Sequence, residues 1–392
     1  MAPKKKKQKR RAKKFKILLL ACGCALAGAL TVAVLILGVL HSQRPALPPY
    51  EESHGSHSTL QKRISDIERA IYECLYQGGV PEQGIYFSVV ESRDEKGKRY
   101  DLTEILIDLP EDGSIQHLDR RIIRALEDLK PAVTCRREET APGEILCHVI
   151  ADGLYTHRIR IRSRKQDRKR QLPLPRIAII IDDLGYDLEI AQRLLALDLP
   201  LTLSILPGAP QTGAIAKEGQ KRGSELMLHL PMEPRNFPAF NPGPGALLVG
   251  MEDGEIKGLI ASDLEQVPGA RGVNNHMGSY FTERRDKMAV VLGELKKRHL
   301  YYIDSRTTKE TVAFTLAREM GVPTANRNVF LDNDLSPKAM KFQMQRLMGM
   351  ARASGGAIGI GHPHPKTIEV LKAYAPKIKR EFQVVYGADL VS

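Results

Sequence analysis

The chain contains no tryptophan, and aromatic residues make up only 5% of its 392 positions. Few side chains can offer a flat apolar face on which a ring-shaped ligand would stack. Cysteine is scarce as well: Cys22, Cys24, Cys74, Cys135 and Cys147 are the five, and none follows residue 147. A structural zinc site built from cysteines is thereby excluded from the second half of the chain. Cys135 and Cys147 flank an expected hairpin, where they either pair in an oxidising compartment or stay as buried thiols. Negative charge is missing from residues 1–16, MAPKKKKQKRRAKKFK, which carry ten positive charges.

That basic flank leads into Ile17–Leu40, 24 residues without a charge. The stretch is long enough to cross a hydrocarbon core as a helix, and the lysines keep its start on the cytoplasmic side. It is too long for a cleaved signal peptide and lacks a clean small-x-small site after it. Cys22 has too little apolar sequence before it to be a lipoprotein cysteine. The expectation is an uncleaved signal anchor at 17–40, a single pass through the inner membrane, with the bulk of the chain on the periplasmic side. The net charge of +13 invites a nucleic-acid reading. A second run, Arg158 to Arg176, carries nine positives and one negative. Taking the net +10 and +8 of the two runs from +13 leaves the rest of the chain at −5. A mildly acidic body is not a nucleic-acid clamp, so no nucleic-acid partner is expected.

Residues 41–57, with Pro45, Pro48, Pro49 and Gly55, read as a flexible stalk. Residues 58–163 read as a small α+β accessory domain with helices near 60–75 and 115–129 and strands near 85–90, 102–107, 132–136, 144–150 and 155–161. Nothing in it forms a catalytic constellation, which leaves protein contact, spacing or accessory binding as its role. A basic linker at 164–175 ends in prolines. From 176 to 392 the pattern alternates between strand and helix, with strands near 177–182, 201–206, 225–230, 271–276, 300–304, 326–331 and 356–361. Seven such repeats imply a parallel α/β fold, either a closed or distorted barrel or an open sheet.

Chemistry concentrates at the ends of these strands. Arg176-Ile-Ala-Ile-Ile-Ile-Asp182-Asp183-Leu-Gly185 is a strand buried on both faces that stops in two adjacent carboxylates. Like charges side by side repel, and a bound cation is the simplest compensation. A solvated turn with an N-cap aspartate is the other reading. Five of the eleven histidines lie in this half: His229, His276, His299, His362 and His364. All but His299 stand at strand ends, with Asp304 at another. Aspartate and imidazole together suit zinc and accept other divalent first-row metals.

The blocks Ile181-Asp182-Asp183, Glu225-Leu-Met-Leu-His229, Asn275-His276-Met-Gly-Ser279, Asp304-Ser-Arg306 and Gly361-His362-Pro-His364 resemble the divergent polysaccharide deacetylase family. That family is similar to metal-dependent enzymes that remove acetyl groups from chitin, peptidoglycan and xylan. The resemblance covers roughly residues 174–392. It implies a distorted (β/α) barrel of about seven strands, preceded here by the transmembrane helix and the small α+β domain. It also implies a divalent metal, zinc above all, held by Asp183, His229 and His276, with Asp182 as general base. His362 or His364 would be the general acid. The usual second histidine, four residues after the first, is replaced by Glu233, and His276 is the candidate to take over. Glu233, Asn275, Asp304 and Arg306 would surround the site and orient its base or ligands. The implied substrate is an acetylated cell-envelope glycan such as peptidoglycan. The alternative is a non-catalytic envelope protein that binds glycan, or cell-wall and division proteins through residues 58–163. For ring stacking only Tyr186, Phe237, Phe240, Tyr280 and Phe281 stand near these blocks.

Overall fold

The computed structural model describes residues 59–110, 113–163 and 173–392. The basic flank, the expected anchor at 17–40, the stalk and most of the 164–175 linker lie outside the described residues. Among the described residues, no helix is long and apolar enough to cross a membrane.

Residues 59–163 build a five-stranded sheet covered by two helices. Helix α1 (Thr59–Gln77) buries Leu60, Ile64, Ile67, Ile71 and Leu75, a three-and-four spacing that puts all five on one face. Strands β1 (Ile85–Glu95) and β2 (Lys98–Leu109) form a hairpin. Its turn, Lys96-Gly97, has positive φ at both positions, which matches the twist of the strands it joins. Helix α2 (Ile115–Glu127) starts where Ser114 Oγ accepts from the His117 N–H. Strands β3 (Val133–Ala141), β4 (Glu144–Ala151) and β5 (Leu154–Ser163) complete the order β1-β2-β5-β4-β3. Only β2 and β5 pair in parallel. A Cys135–Cys147 disulfide ties β3 to β4, while Cys74 stays free and buried. Arg158, Arg160 and Arg162 on β5 pair with Glu104, Glu144 and Asp108 across the sheet, so these arginines are neutralised where they stand.

The second half winds β6 (Arg176–Leu184), α3 (Leu188–Leu195), β7 (Thr202–Ile205), α4 (Thr212–Lys221), β8 (Glu225–Met232), α5 (Asp253–Gln266) and β9 (Ala270–Met277). It continues through α6 (Arg285–Lys297), β10 (Tyr301–Asp304), α7 (Ala313–Glu319), β11 (Thr324–Asn326) and β12 (Val329–Phe330). Helix α8 (Pro337–Ser354), β13 (Gly356–Gly361), α9 (Pro365–Glu381) and β14 (Gln383–Val385) complete it. Every strand pair here is parallel, in the order β11-β10-β9-β8-β7-β6-β13-β12, with β14 beside the start of β6.

The single strand expected near 326–331 is instead two strands at opposite edges of this sheet. Asn326 and Val329 are three Cα steps apart, at most about 11 Å. The two edges are therefore brought close by the chain itself, and the sheet curls into a half-barrel rather than lying open.

Strand alternation sorts the side chains into two cores. Ile177, Ile179 and Ile181 join the large core beneath the helices. Ala178 and Ile180 face inward with Met227, Tyr301, Ile303, Phe330, Ile358 and Ile360. The inward positions continue at the carboxyl ends of the strands, and the polar residues gather there.

The small domain rests on helix α8. Gly349 leaves room for the Phe87 ring, since a Cβ at that position would stand 2.7 Å from Phe87 Cδ2. Around this contact Gln345 Nε2 donates to Glu82 at 2.7 Å and Arg346 donates to the buried Glu68 at 3.1 Å.

Candidate metal centre

On a regular strand Asp182 and Asp183 would point to opposite faces. Here the register of β6 on β7 shifts between Ile181 and Leu184, and Asp183 adopts φ +54°. The bulge and the left-handed turn bring both carboxylates to the inner face, a strained conformation of the kind found at functional sites. His229 follows Met227 by two on β8, His276 follows Asn274 by two on β9, and His362 follows Ile360 by two after β13. All therefore share the inward face.

Asp183 Oδ1 lies 2.9 Å from His229 Nε2 and 3.0 Å from His276 Nδ1. The two nitrogens are 3.2 Å apart. One ligand atom from each residue falls within 4.8 Å of the others, and all three residues are buried. Both Asp183 oxygens are buried without a hydrogen bond of acceptable geometry, as is His276 Nε2. Burial works to raise the Asp183 carboxyl, but the imidazoles of His276 and His229 outweigh it and hold it well below its ordinary value.

Asn274 sets the tautomer. Its Nδ2 donates to Asp182 Oδ1 and Oδ2 at 2.8 and 3.1 Å, which leaves Oδ1 as the acceptor. That Oδ1 accepts from Ser204 Oγ at 2.7 Å and lies 2.8 Å from His229 Nδ1. His229 thus donates from Nδ1, and a cation bound beside Asp183 and His276 would take the place of the proton on its Nε2. An anionic oxygen and two imidazole nitrogens converging in a buried space fit a divalent cation, and the donor set is one that zinc accepts.

Across the cavity His362 Nδ1 lies 2.8 Å from Asp332 Oδ1, and its backbone N–H donates to Asp332 Oδ2 at 2.6 Å. Thr367 Oγ1 donates to the same Oδ2. Burial works to lower the His362 imidazole, but the Asp332 carboxylate outweighs it and pushes it up to about 10. His364 sits beside it, ring centroids 6.4 Å apart, at the start of α9. The cavity is lined by His362 and not by His364, together with Asp182, Asp183, His229, His276 and Phe330. Burial draws His364 below its usual value.

Of the four residues expected around the ligands, Asn275 lines the cavity, while the carboxylates of Glu233 and Asp304 and the guanidinium of Arg306 find partners elsewhere. Glu233 turns its carboxylate to the Val249 N–H at 2.6 Å and so anchors the segment after β8. Asn275 and Asp304 stand one position out of step with the inward residues of β9 and β10, at the ends of the strands where Asn275 still borders the cavity. Asn275 Oδ1 accepts from Tyr302 Oη and the Ser305 N–H, and its Nδ2 donates to the Met277 carbonyl. Asp304 accepts from Thr311 Oγ1 and the Arg306 and Phe314 N–H groups, shaping the loop after β10. The Arg306 side chain reaches away to Asp101. Of the aromatic candidates, Phe281 is wholly buried in the core. Asn274 and Asp332 lie outside the motif blocks, although alternation signals both: Asn274 lies two before His276 and Asp332 two after the inward Phe330.

The family model for divergent polysaccharide deacetylases matches residues 179–391. An uncharacterized protein of Haemophilus influenzae is 34% identical over 210 residues, 54% of this chain and 74% of that protein. The uncharacterized Escherichia coli protein YibQ is 33% identical over 217 residues, 55% of this chain and 67% of its own length. Among solved structures, an uncharacterized protein from Agrobacterium tumefaciens C58 shares the fold at a TM-score of 0.54 and 22% identity, covering 56% of this chain and 90% of that one. By the match over more than half its length, the chain belongs to the divergent polysaccharide deacetylase family.

Proposed function

We propose that the protein is a metal-dependent hydrolase that releases acetyl groups from a cell-envelope glycan of the peptidoglycan type. The observation that carries this reading is the convergence of Asp183, His229 and His276 beside Asp182, facing His362 across one cavity. A divalent cation, zinc by the donor set, would be held by those three residues and would supply positive charge for the acetyl carbonyl and the attacking water. The Asp182 carboxylate, aimed by Asn274, takes the proton of that water as its oxygen bonds to the acetyl carbon. His362 is charged at neutral pH, and its Nδ1–H is committed to Asp332. Its Nε2–H is therefore the proton delivered to the departing amine nitrogen or alkoxide oxygen as the bond to the acetyl carbon breaks. The products are a neutral amine or alcohol and acetic acid. The proton held on Asp182 passes through solvent to His362, which restores both side chains, and the acetic acid gives up its own proton to water as it leaves as acetate.

Anchoring in the inner membrane through residues 17–40, with the catalytic half outside, belongs to the same proposal. The basic flank, the uncharged run and the Cys135–Cys147 disulfide support it. The test is metal content of the purified full chain, followed by acetate release from acetylated glycan fragments. Acetate release that is lost in Asp182→Asn supports the reading. A metal-loaded protein silent on chitin, peptidoglycan and xylan fragments sinks it and leaves the non-catalytic, glycan-binding alternative.

A further inference from the structure

The segment after β10, residues 305–311, has two sides. On one, Ser305 and Thr307 line the cavity with the metal-ligand set. Thr307 Oγ1 is tied to the Met277 carbonyl at 2.9 Å, and the Ser305 carbonyl accepts from Arg327 Nε at 2.6 Å. On the other side, Arg306 and Lys309 leave the barrel and meet one carboxylate of the small domain. Asp101 Oδ2, on β2, accepts from Lys309 Nζ at 2.6 Å and from Arg306 Nη2 at 3.4 Å. Asp101 Oδ1 is held by Ser92 Oγ at 2.8 Å.

Arg306 carries φ +50°, a left-handed conformation that costs a residue with a Cβ and persists only where its surroundings over-determine it. Two of its fasteners are visible: its N–H donates to Asp304 Oδ1 at 2.8 Å, and its guanidinium is drawn to Asp101. Burial works to raise the Asp101 carboxyl, yet Lys309 and Arg306 hold it at about 2, so the anchor stays charged at any working pH. A pair in this setting is unlike the Arg99–Glu310 pair nearby, which is exposed on both sides and therefore weak.

We propose that the small domain sets the wall of the site: Asp101 is a positioning residue that holds the 305–311 loop, and through it Ser305 and Thr307, against the substrate. The family match begins at residue 179, so nothing in that match assigns this role to residue 101. The consequence for substrate rests on the deacetylase reading; the loop-holding role does not.

The test uses the full chain and hydrogen–deuterium exchange of the peptide spanning 304–312, in wild type, Asp101→Asn, Arg99→Gln and Glu82→Gln. Losing a charge-assisted bond at a largely buried site should speed exchange of this peptide by roughly tenfold or more in Asp101→Asn. Arg99→Gln should leave it unchanged. Glu82→Gln cuts domain-docking contacts to Gln345 and Lys377, away from the loop, and should leave it unchanged too. Zinc affinity should stay within about twofold of wild type, because no metal-ligand candidate is touched. On a glycan that wild type deacetylates, KM should rise more than kcat falls. Unchanged exchange in Asp101→Asn overturns the proposal, as does equal loosening by Glu82→Gln, which would reduce Asp101 to a general docking contact. If wild type releases no acetate, the deacetylase reading fails while the exchange result still decides the role of Asp101.

Discussion

Asn274 Nδ2 bridges both carboxylate oxygens of Asp182, at 2.8 and 3.1 Å, while the same side chain's Oδ1 stands 2.8 Å from His229 Nδ1. One amide thus fixes the orientation of the proposed base and of a proposed metal ligand. Asn274→Ala frees both. Metal affinity should fall by about 10–100-fold, the usual effect of removing a partner behind a ligand. Competition against a chromophoric chelator measures it, and an affinity within twofold of wild type would show that Asn274 orients nothing.

Metal binding should be readable in stability. At a free metal concentration of 100 times Kd, a folded-state ligand adds about 2.7 kcal/mol. Thermal unfolding with zinc and with EDTA should therefore differ for wild type. His276→Ala should abolish that difference. His299→Ala, at an exposed helix end, should keep it.

The His362–Asp332 pair predicts a pH window. His362 is raised in the folded state, so its contribution is full below its ordinary value of about 6.5 and fades as pH climbs through about 10. Asp332 is lowered: burial opposes this, but the charged His362 beside it prevails. Its contribution is present above about 4 and is lost as pH falls through the depressed value. In Asp332→Asn, NMR titration should find His362 moved from about 10 toward the ordinary ~6.5. Any alkaline limit of acetate release should move the same way.

The seat of the small domain can be probed at Gly349. Alanine in mid-helix ordinarily gains about 1 kcal/mol over glycine. Here the added Cβ would meet Phe87 Cδ2 at 2.7 Å and the Ile85 carbonyl oxygen at 3.3 Å, and the Phe87 ring is buried. Overpacking should win, and Gly349→Ala should lower unfolding stability by about 1–3 kcal/mol in urea. A stabilised variant would mean that the two parts of the chain separate readily at this contact.

The local signals in the chain were strong where they depended on near neighbours. The run Ile177–Ile181 announces a strand buried on both faces because every residue in it is apolar. The period of two then assigns Asp182, His229, His276 and His362 to one face without any tertiary knowledge. The same alternation, carried one step further, marks Asn274 and Asp332 as inward and Asp304 as outward; it does not reveal that Asn275 borders the cavity at the end of β9. Glu233 shows the opposite case. Standing four residues after His229, its carboxylate reads as one of the groups around the site, yet the path of the chain through Leu247–Val249 claims it.

Order along the chain determined that this protein has alternating strands and helices, carboxylates at the end of the first barrel strand, and a family. Only the tertiary structure decided that the 324–330 segment divides between the two edges of the sheet, that His362 rather than His364 lines the cavity with Asp183, His229 and His276, and that Asp101 reaches a loop of that cavity some 200 residues further along. The physical reason is common to all three. Each depends on how a curled sheet brings distant residues together, and periodicity reports which face a side chain takes but not what it meets there.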